Sequence, residues 1–308
     1  MLRKLKRRGY RFARNAFLDQ IYFRIGATAA QAQRGARGSF LDLWDAEFRV
    51  FSQWGEDGIL NYLLDTYSLP RPRVVEFGAG NFTECNSRFL VEYRNASAFV
   101  VDGRSDLIST VEGMDLRWRS TVIPRHEWIT SKNAGSIFKS AQESLGPVDV
   151  FSLDVDGIDF WIAKAVDFSQ VQVIVVEYNP LFGARYPVSV PSDDGFNRGT
   201  KHATWLYYGA SLRSWINFFE PLDFAFLGTN RACNNAFFGR IPLPEALGIR
   251  LPDIGKLDQY VDFRVRESRD SRGELSYLTG SLRWKSIEGM PLVDTETGQE
   301  LFVGPDLF

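Results

Sequence analysis

Two cysteines, two histidines and three methionines in 308 residues leave this chain short of the side chains that build redox centres and soft-metal sites. Cys85 and Cys233 are too few for a disulfide framework or a tetrahedral zinc site, a usage that suits a reducing compartment. No apolar run approaches the about 18–20 residues that a spanning helix needs, so the expectation is a cytoplasmic protein, at most peripheral to the inner face of a membrane. Neither sign of charge is in excess. The 36 Lys and Arg against 38 Asp and Glu give a net charge of −2, which excludes recruitment of nucleic acid by a global positive field. Internal repeats are absent.

What is present is ordinary globular material, 44% hydrophobic and long enough to bury a core. The expected organisation is a basic N-terminal extension and linker over 1–40, a main domain over 41–245, and a polar, peripheral extension over 246–308. Arg3, Lys4, Lys6, Arg7, Arg8, Arg11 and Arg14 precede the first acid, Asp19, and Leu2, Leu5, Phe12 and Phe17 interleave with them. This stretch reads either as a solvated terminus or as a helix resting on an anionic membrane face or an acidic partner. No apolar segment follows the charges, so it is not a secretory signal. Residues 24–40 read as a linker or loose helix.

Apolar runs bounded by turn residues recur at 73–77, 98–102, 120–123, 148–154, 172–178, 224–229 and 235–239, with helical lengths between the first five. That pattern predicts an α/β fold with a mostly parallel seven-stranded sheet and helices on both faces. The last two runs flank Asn230–Asn234 and should pair as an antiparallel hairpin. Five parallel strands and a terminal hairpin are the plan of Rossmann-like, class I methyltransferases. The segment 183–206 is long for a loop, and such loops are often functional.

The most informative stretch is Val74-Val75-Glu76-Phe77-Gly78-Ala79-Gly80-Asn81, a buried strand that ends in an acid and enters a Gly-x-Gly turn. Asp102 ends the next strand, 22 residues past Gly80. Glycines at a strand end let backbone N–H groups approach a ligand, and an acid about 20 residues on can take two ribose hydroxyls. An adenosine-type cofactor follows. The third glycine of the dinucleotide pattern is missing, with Glu84 or Cys85 near its place, which argues against NAD and suits S-adenosylmethionine (SAM). The competing reading is an ordinary strand-to-helix turn.

A second constellation, Asp154-Val155-Asp156-Gly157-Ile158-Asp159, stands at the fourth strand end, and Glu177-Tyr178-Asn179 stands at the fifth. Asp154, Glu177 and Asn179 form a candidate Mg²⁺ site, since clustered carboxylate and amide oxygens suit a hard cation. The competing reading has Asp156 and Asp159 capping the next helix. Asp154-Val155-Asp156 also echoes the metal-binding motif of glycosyltransferases, though such an enzyme would leave Glu76, Gly78, Gly80 and Asp102 unexplained. His202, in the 183–206 segment, is the candidate general base, with Asp154 the other catalytic candidate. Trp161, Tyr207 and Tyr208 are candidate walls for a sugar or, equally, core residues.

The set Ser52–Gly58, Val75–Gly78, Val101–Gly103, Ser152–Trp161, Val176–Asn179, Leu206–Leu212 and Asn234–Phe238, in this order, resembles the FkbM-like methyltransferases encoded with bacterial surface-polysaccharide genes. The likeness spans about residues 50–240. It implies a class I SAM-dependent fold and O-methylation of a sugar or glycan acceptor. It also implies a cofactor loop from Glu76 to Gly80, a ribose acid at Asp102, and Gln53 near the cofactor entrance. Asn81, another candidate contact, stands where a third glycine is common. The alternative of another class is a non-catalytic nucleotide- or metabolite-binding protein of polysaccharide assembly.

Overall fold

The computed structural model describes residues 2–305 except Asp115, Arg117 and Phe263, with side chains from Phe17 onward. The side chains of the basic stretch Arg3–Arg14 therefore lie outside the described residues.

In chain order the elements are α1 (Leu2–Ala36), α2 (Glu56–Thr66), β1 (Arg73–Phe77), α3 (Asn86–Arg94), β2 (Ser97–Asp102), α4 (Leu107–Gly113), β3 (Val122–His126), α5 (Ala134–Leu145), β4 (Val150–Leu153), α6 (Asp159–Ala163), β5 (Val173–Glu177), β6 (Val188–Ser189), α7 (Arg198–Lys201), α8 (Leu212–Phe219), β7 (Phe224–Thr229), β8 (Asn235–Arg240), α9 (Ser281–Lys285), β9 (Pro291–Asp294) and β10 (Glu300–Phe302). The main sheet has the order β3-β2-β1-β4-β5-β8-β7. Strands β1 to β5 are parallel, and β8 runs antiparallel to both β5 and β7. This is the expected α/β plan, with the terminal hairpin folded so that its second strand sits beside β5. A smaller antiparallel sheet, β10-β9-β6, ties the 183–206 segment to the C-terminal region.

Strand alternation divides the core in two. Val75, Phe77, Val101, Phe151 and Val176 pack on one face, and Val74, Val100, Val150 and Val175 on the other. Strands β4 and β5 are buried throughout, as central parallel strands must be. Strand β3 is half-exposed and holds Pro124, whose missing N–H is tolerated at a sheet edge. Glu76, Asp102 and Glu177 share the parity of Val74, Val100 and Val175. The alternation therefore delivers three carboxylates to one side of the sheet at its C-terminal edge.

Two expectations need correction. Residues 24–36 are neither linker nor loose helix but the docked end of α1. Gly26 lets the helix approach Val50 and Phe89, Ala30 is fully buried, and Gln33 donates to the carbonyls of Ala46 and Gly58 at 2.6 and 2.8 Å. Gln33 also accepts from Asn61 Nδ2 at 2.7 Å. Small and amide side chains at this spacing look loose in sequence, but they make the contact close. The 246–305 region is likewise not a bystander, because Val265, Ile287, Leu292 and Val303 join the main core.

Candidate functional site

A cleft of about 560 Å³ opens over the C-terminal ends of β1, β2, β4 and β5, the place where open α/β sheets bind ligands. Its floor begins at the turn after β1. Gly78 has φ +89, and a Cβ there would lie 1.5 Å from the main-chain oxygen of Asp154, so only glycine fits. Gly80 has φ +58 and faces open space. Its N–H donates to Asp102 Oδ2 at 2.8 Å, and Arg104 N–H donates to Asp102 Oδ1 at 2.8 Å. Burial raises the Asp102 pKa, against the pull of these two N–H groups. Gly78, Gly80 and Asp102 thus stand together on the cleft wall, as the sequence spacing suggested.

Glu76 lines the cleft too, but its carboxylate is occupied. It accepts from Asn86 N–H at 2.8 Å, Ser87 N–H at 2.9 Å and the Ser87 hydroxyl, the first groups of α3. A carboxylate at a helix N-terminus meets unpaired N–H groups and the positive end of the dipole. Gln53 lines the cleft from a loop that Asp57 holds by accepting three backbone N–H bonds, from Val50, Phe51 and Ser52, at 2.7–2.8 Å. Asn81 is not among the lining residues. It accepts from Thr83 N–H and hydroxyl at 3.2 and 2.6 Å and donates to Asp106 at 3.3 Å, fixing the turn from behind.

At the other end of the cleft, Asp154, Asp156 and Glu177 each place an oxygen within 4.8 Å of the other two. Burial comes first among the causes that hold Asp154 and Glu177 well above the usual carboxylate range. Repulsion from the neighbouring carboxylates adds to it, and Arg198 opposes it. Glu177 Oε2 and the Tyr208 hydroxyl are buried with no hydrogen-bond partner among the described residues. Asn179 does not join this group. Its amide is spent, accepting from Leu181 N–H at 3.0 Å and donating to the carbonyls of Leu206 and Tyr208 at 2.9 Å each. Asp156 takes its place. Asp156 has φ +58 and caps no helix. Asp159 accepts from Val155 and Gly157 N–H instead, and so shapes the loop.

The cation that compensates this cluster is Arg198, buried to 10% side-chain exposure. Its guanidinium pairs with Asp156, pairs with Glu267 at 2.6 Å, donates to the Trp205 carbonyl at 2.5 Å, and lies 3.9 Å from the Tyr208 ring centroid. The glycosyltransferase-like motif therefore does not present two free carboxylates. His202 is not brought to the cleft wall. Its Nδ1 is bound to the Thr204 hydroxyl at 2.8 Å at the end of α7, and burial lowers its pKa. Nor do the expected aromatic walls line the cleft. Trp161 donates to the Val190 carbonyl, Tyr207 to the Pro291 carbonyl, and Tyr208 lies under Arg198. Trp128 and Trp205, 51% and 38% exposed, do line it.

Sequence reasoning missed Arg198, Glu267, Arg269, Trp128 and Trp205. A trace of Arg198 was there, since three adjacent acids demand a counter-charge and the 183–206 segment supplies few. Glu267 and Arg269 follow the last recognisable strand and carried no signal. The lining holds eight carboxylates against three arginines, a balance hostile to pyrophosphate and suited to a neutral or cationic ligand.

No protein-family model matches the chain, and no curated protein matches it. Among solved structures it is similar to a chain of the fibrillarin/Nop5p complex, with 16% identity over 65% of this chain and 90% of that one, at a TM-score of 0.33. It is also similar to YjhP from E. coli, with 10% identity over 54% of this chain and 67% of that one, at 0.28.

Proposed function

We propose that this protein is a SAM-dependent methyltransferase acting on a hydroxyl group of a sugar or glycan, a reading that follows the FkbM-like resemblance of its motifs. One observation carries it: an acidic cleft at the C-terminal edge of a β3-β2-β1-β4-β5-β8-β7 sheet, with Gly78, Gly80 and Asp102 on its wall. The donor set fits SAM. Gly80 leaves open space where a cofactor must approach, Asp102 offers carboxylate oxygens to ribose hydroxyls, and the surplus of acids favours a cationic sulfonium over a pyrophosphate. When bound, this cofactor supplies an electrophilic methyl group. The catalytic unit is 41–245, completed by Glu267 and Arg269.

Asp154 is the base in this reading. It sits on the cleft floor, and its raised pKa brings it towards the range where a carboxylate removes a hydroxyl proton. Glu177 positions it, and Trp128 and Trp205 offer ring faces to a sugar. Orientation supplies much of the remaining barrier reduction. Because the pKa of Asp154 is raised, turnover should fall on acidification while the pH is still above the ordinary carboxylate range.

Calorimetric titration with SAM, S-adenosylhomocysteine, NAD and a UDP-sugar tests the cofactor. SAM should bind, and Asp102→Ala should weaken it by about 1.5–3 kcal/mol, the loss of a charge-assisted hydrogen bond. Tight binding of NAD or the UDP-sugar with indifference to SAM would sink the reading. Binding of SAM without conversion to S-adenosylhomocysteine in the presence of any sugar acceptor would favour a binding protein instead.

In a second reading Asp154 is a metal ligand and not the base: Asp154, Asp156 and Glu177 offer oxygen ligands of the kind Mg²⁺ takes, and the free Glu177 Oε2 supports that fit. EDTA should then abolish turnover while sparing SAM affinity, with Mg²⁺ restoring it. Full turnover in EDTA would leave Asp154 and Glu177 to act on the acceptor alone.

A further inference from the structure

Helix α1 uses one side of itself for the fold. Asp19 pairs with Arg88 at 2.7 Å, and Phe23, Gly26, Ala30 and Gln33 follow at helical spacing against α2, α3 and the Val50 segment. The opposite side is apolar and bare. Phe17, Ile21 and Ile25, one turn apart, are 63%, 37% and 58% exposed. At 3.6 residues per turn the two stripes lie about 160° apart. On the docked side, Arg119 lies 5.8 Å over the Phe23 ring and 4.4 Å over that of Trp118.

A bare apolar stripe on a helix marks an interaction surface. The charge of the preceding sequence says what covers it. Helix α1 extends back to Leu2, and its first 13 residues hold seven of the 36 Lys and Arg and no acid. The rest of the chain carries 29 cations against 38 acids, so the molecule is electrically two-ended. An acidic protein would satisfy the cations and leave the stripe in water. A second copy would satisfy the stripe and bring two basic segments together. An anionic bilayer satisfies both, taking apolar side chains at the acyl boundary and cations at the headgroups.

We propose that α1 docks the protein on an anionic lipid bilayer through Phe17, Ile21 and Ile25 and the basic stretch before them. The test is co-sedimentation of the full chain with vesicles of phosphatidylcholine alone or containing about 30% phosphatidylglycerol. The protein should bind only the anionic vesicles and release in high salt. Phe17→Ser/Ile21→Ser/Ile25→Ser should weaken binding by about tenfold or more. Arg7→Gln/Arg8→Gln/Arg11→Gln should weaken it roughly 100-fold, about fivefold per charge removed. Both variants should keep the parent's circular dichroism and SAM affinity, since the cleft lining begins at Gln53 and the docked stripe at Asp19 keeps its residues. Absence of vesicle binding at low salt would overturn the proposal. So would equal binding to both lipids, or a dimer that the serine variant dissolves.

Discussion

Asp154→Asn should lower turnover by about 10²–10⁴-fold and, at neutral pH, leave the protein more resistant to heat. The two effects share a cause. Asp154, Asp156 and Glu177 crowd three carboxylates into one partly buried group, and the fold raises the pKa of Asp154 and Glu177. An acid whose pKa is raised on folding costs stability as pH climbs from its unfolded value to its folded one, because the unfolded chain releases the proton first. Asparagine keeps the shape and removes that cost. The difference in Tm between variant and parent should therefore vanish in acid, below the ordinary carboxylate range, and widen as pH rises. Scanning calorimetry across pH, beside single-turnover kinetics, checks both quantities. A variant that turns over normally, or that loses Tm at every pH, would remove Asp154 from the chemistry.

Gly78→Ala should be the most damaging single methyl group in the protein. The backbone at φ +89 costs an alanine about 1–3 kcal/mol. The new Cβ would also meet the main-chain oxygen of Asp154, which Asp154 N–H, bonded to the Phe77 carbonyl at 2.9 Å, keeps close to β1. Overpacking of this kind adds about 1–3 kcal/mol. Against an ordinary stability of about 5–15 kcal/mol, a loss of about 10 °C in Tm is expected, together with SAM binding. Gly80→Ala is the control, since its positive φ is strained but no atom lies within 4 Å of the added methyl. Equal behaviour of the two variants in thermal melts would contradict this picture of the turn.

The sheet was legible because its central strands are buried on both sides, and near-continuous apolar runs such as Val173-Ile174-Val175-Val176 have few alternative readings. Gly78, Gly80, Asp102, Asp154 and Glu177 were legible because each stands at the end of such a run, where topology decides its position. The failures lie where position depends on contacts distant in sequence. Asn179 follows a strand as Asp154 does, but its amide closes hydrogen bonds with residues 27 and 29 positions on. His202 was chosen for its chemistry, while the neighbour four residues before it, Arg198, reaches the site because acids from two distant segments bind it. Gly26, Ala30 and Gln33 resembled a linker because close helix packing and loose coil both use small and polar residues.

The pairing of β6 with β9 also sets an order of events during synthesis. Five parallel strands and the hairpin leave the ribosome before residue 241, so the sheet can assemble early. The segment that carries Arg198 then waits for strand residues some hundred positions later, and for Glu267, before it is pinned. In that interval the cleft has the wall of Gly78, Gly80 and Asp102 but an unsecured roof. Loops that close through distant contacts form slowly and remain open to proteases until they do. A nascent chain would thus resemble a finished protein in its core while its ligand site is still under construction, and ligand present early could speed the final step by holding the roof in place.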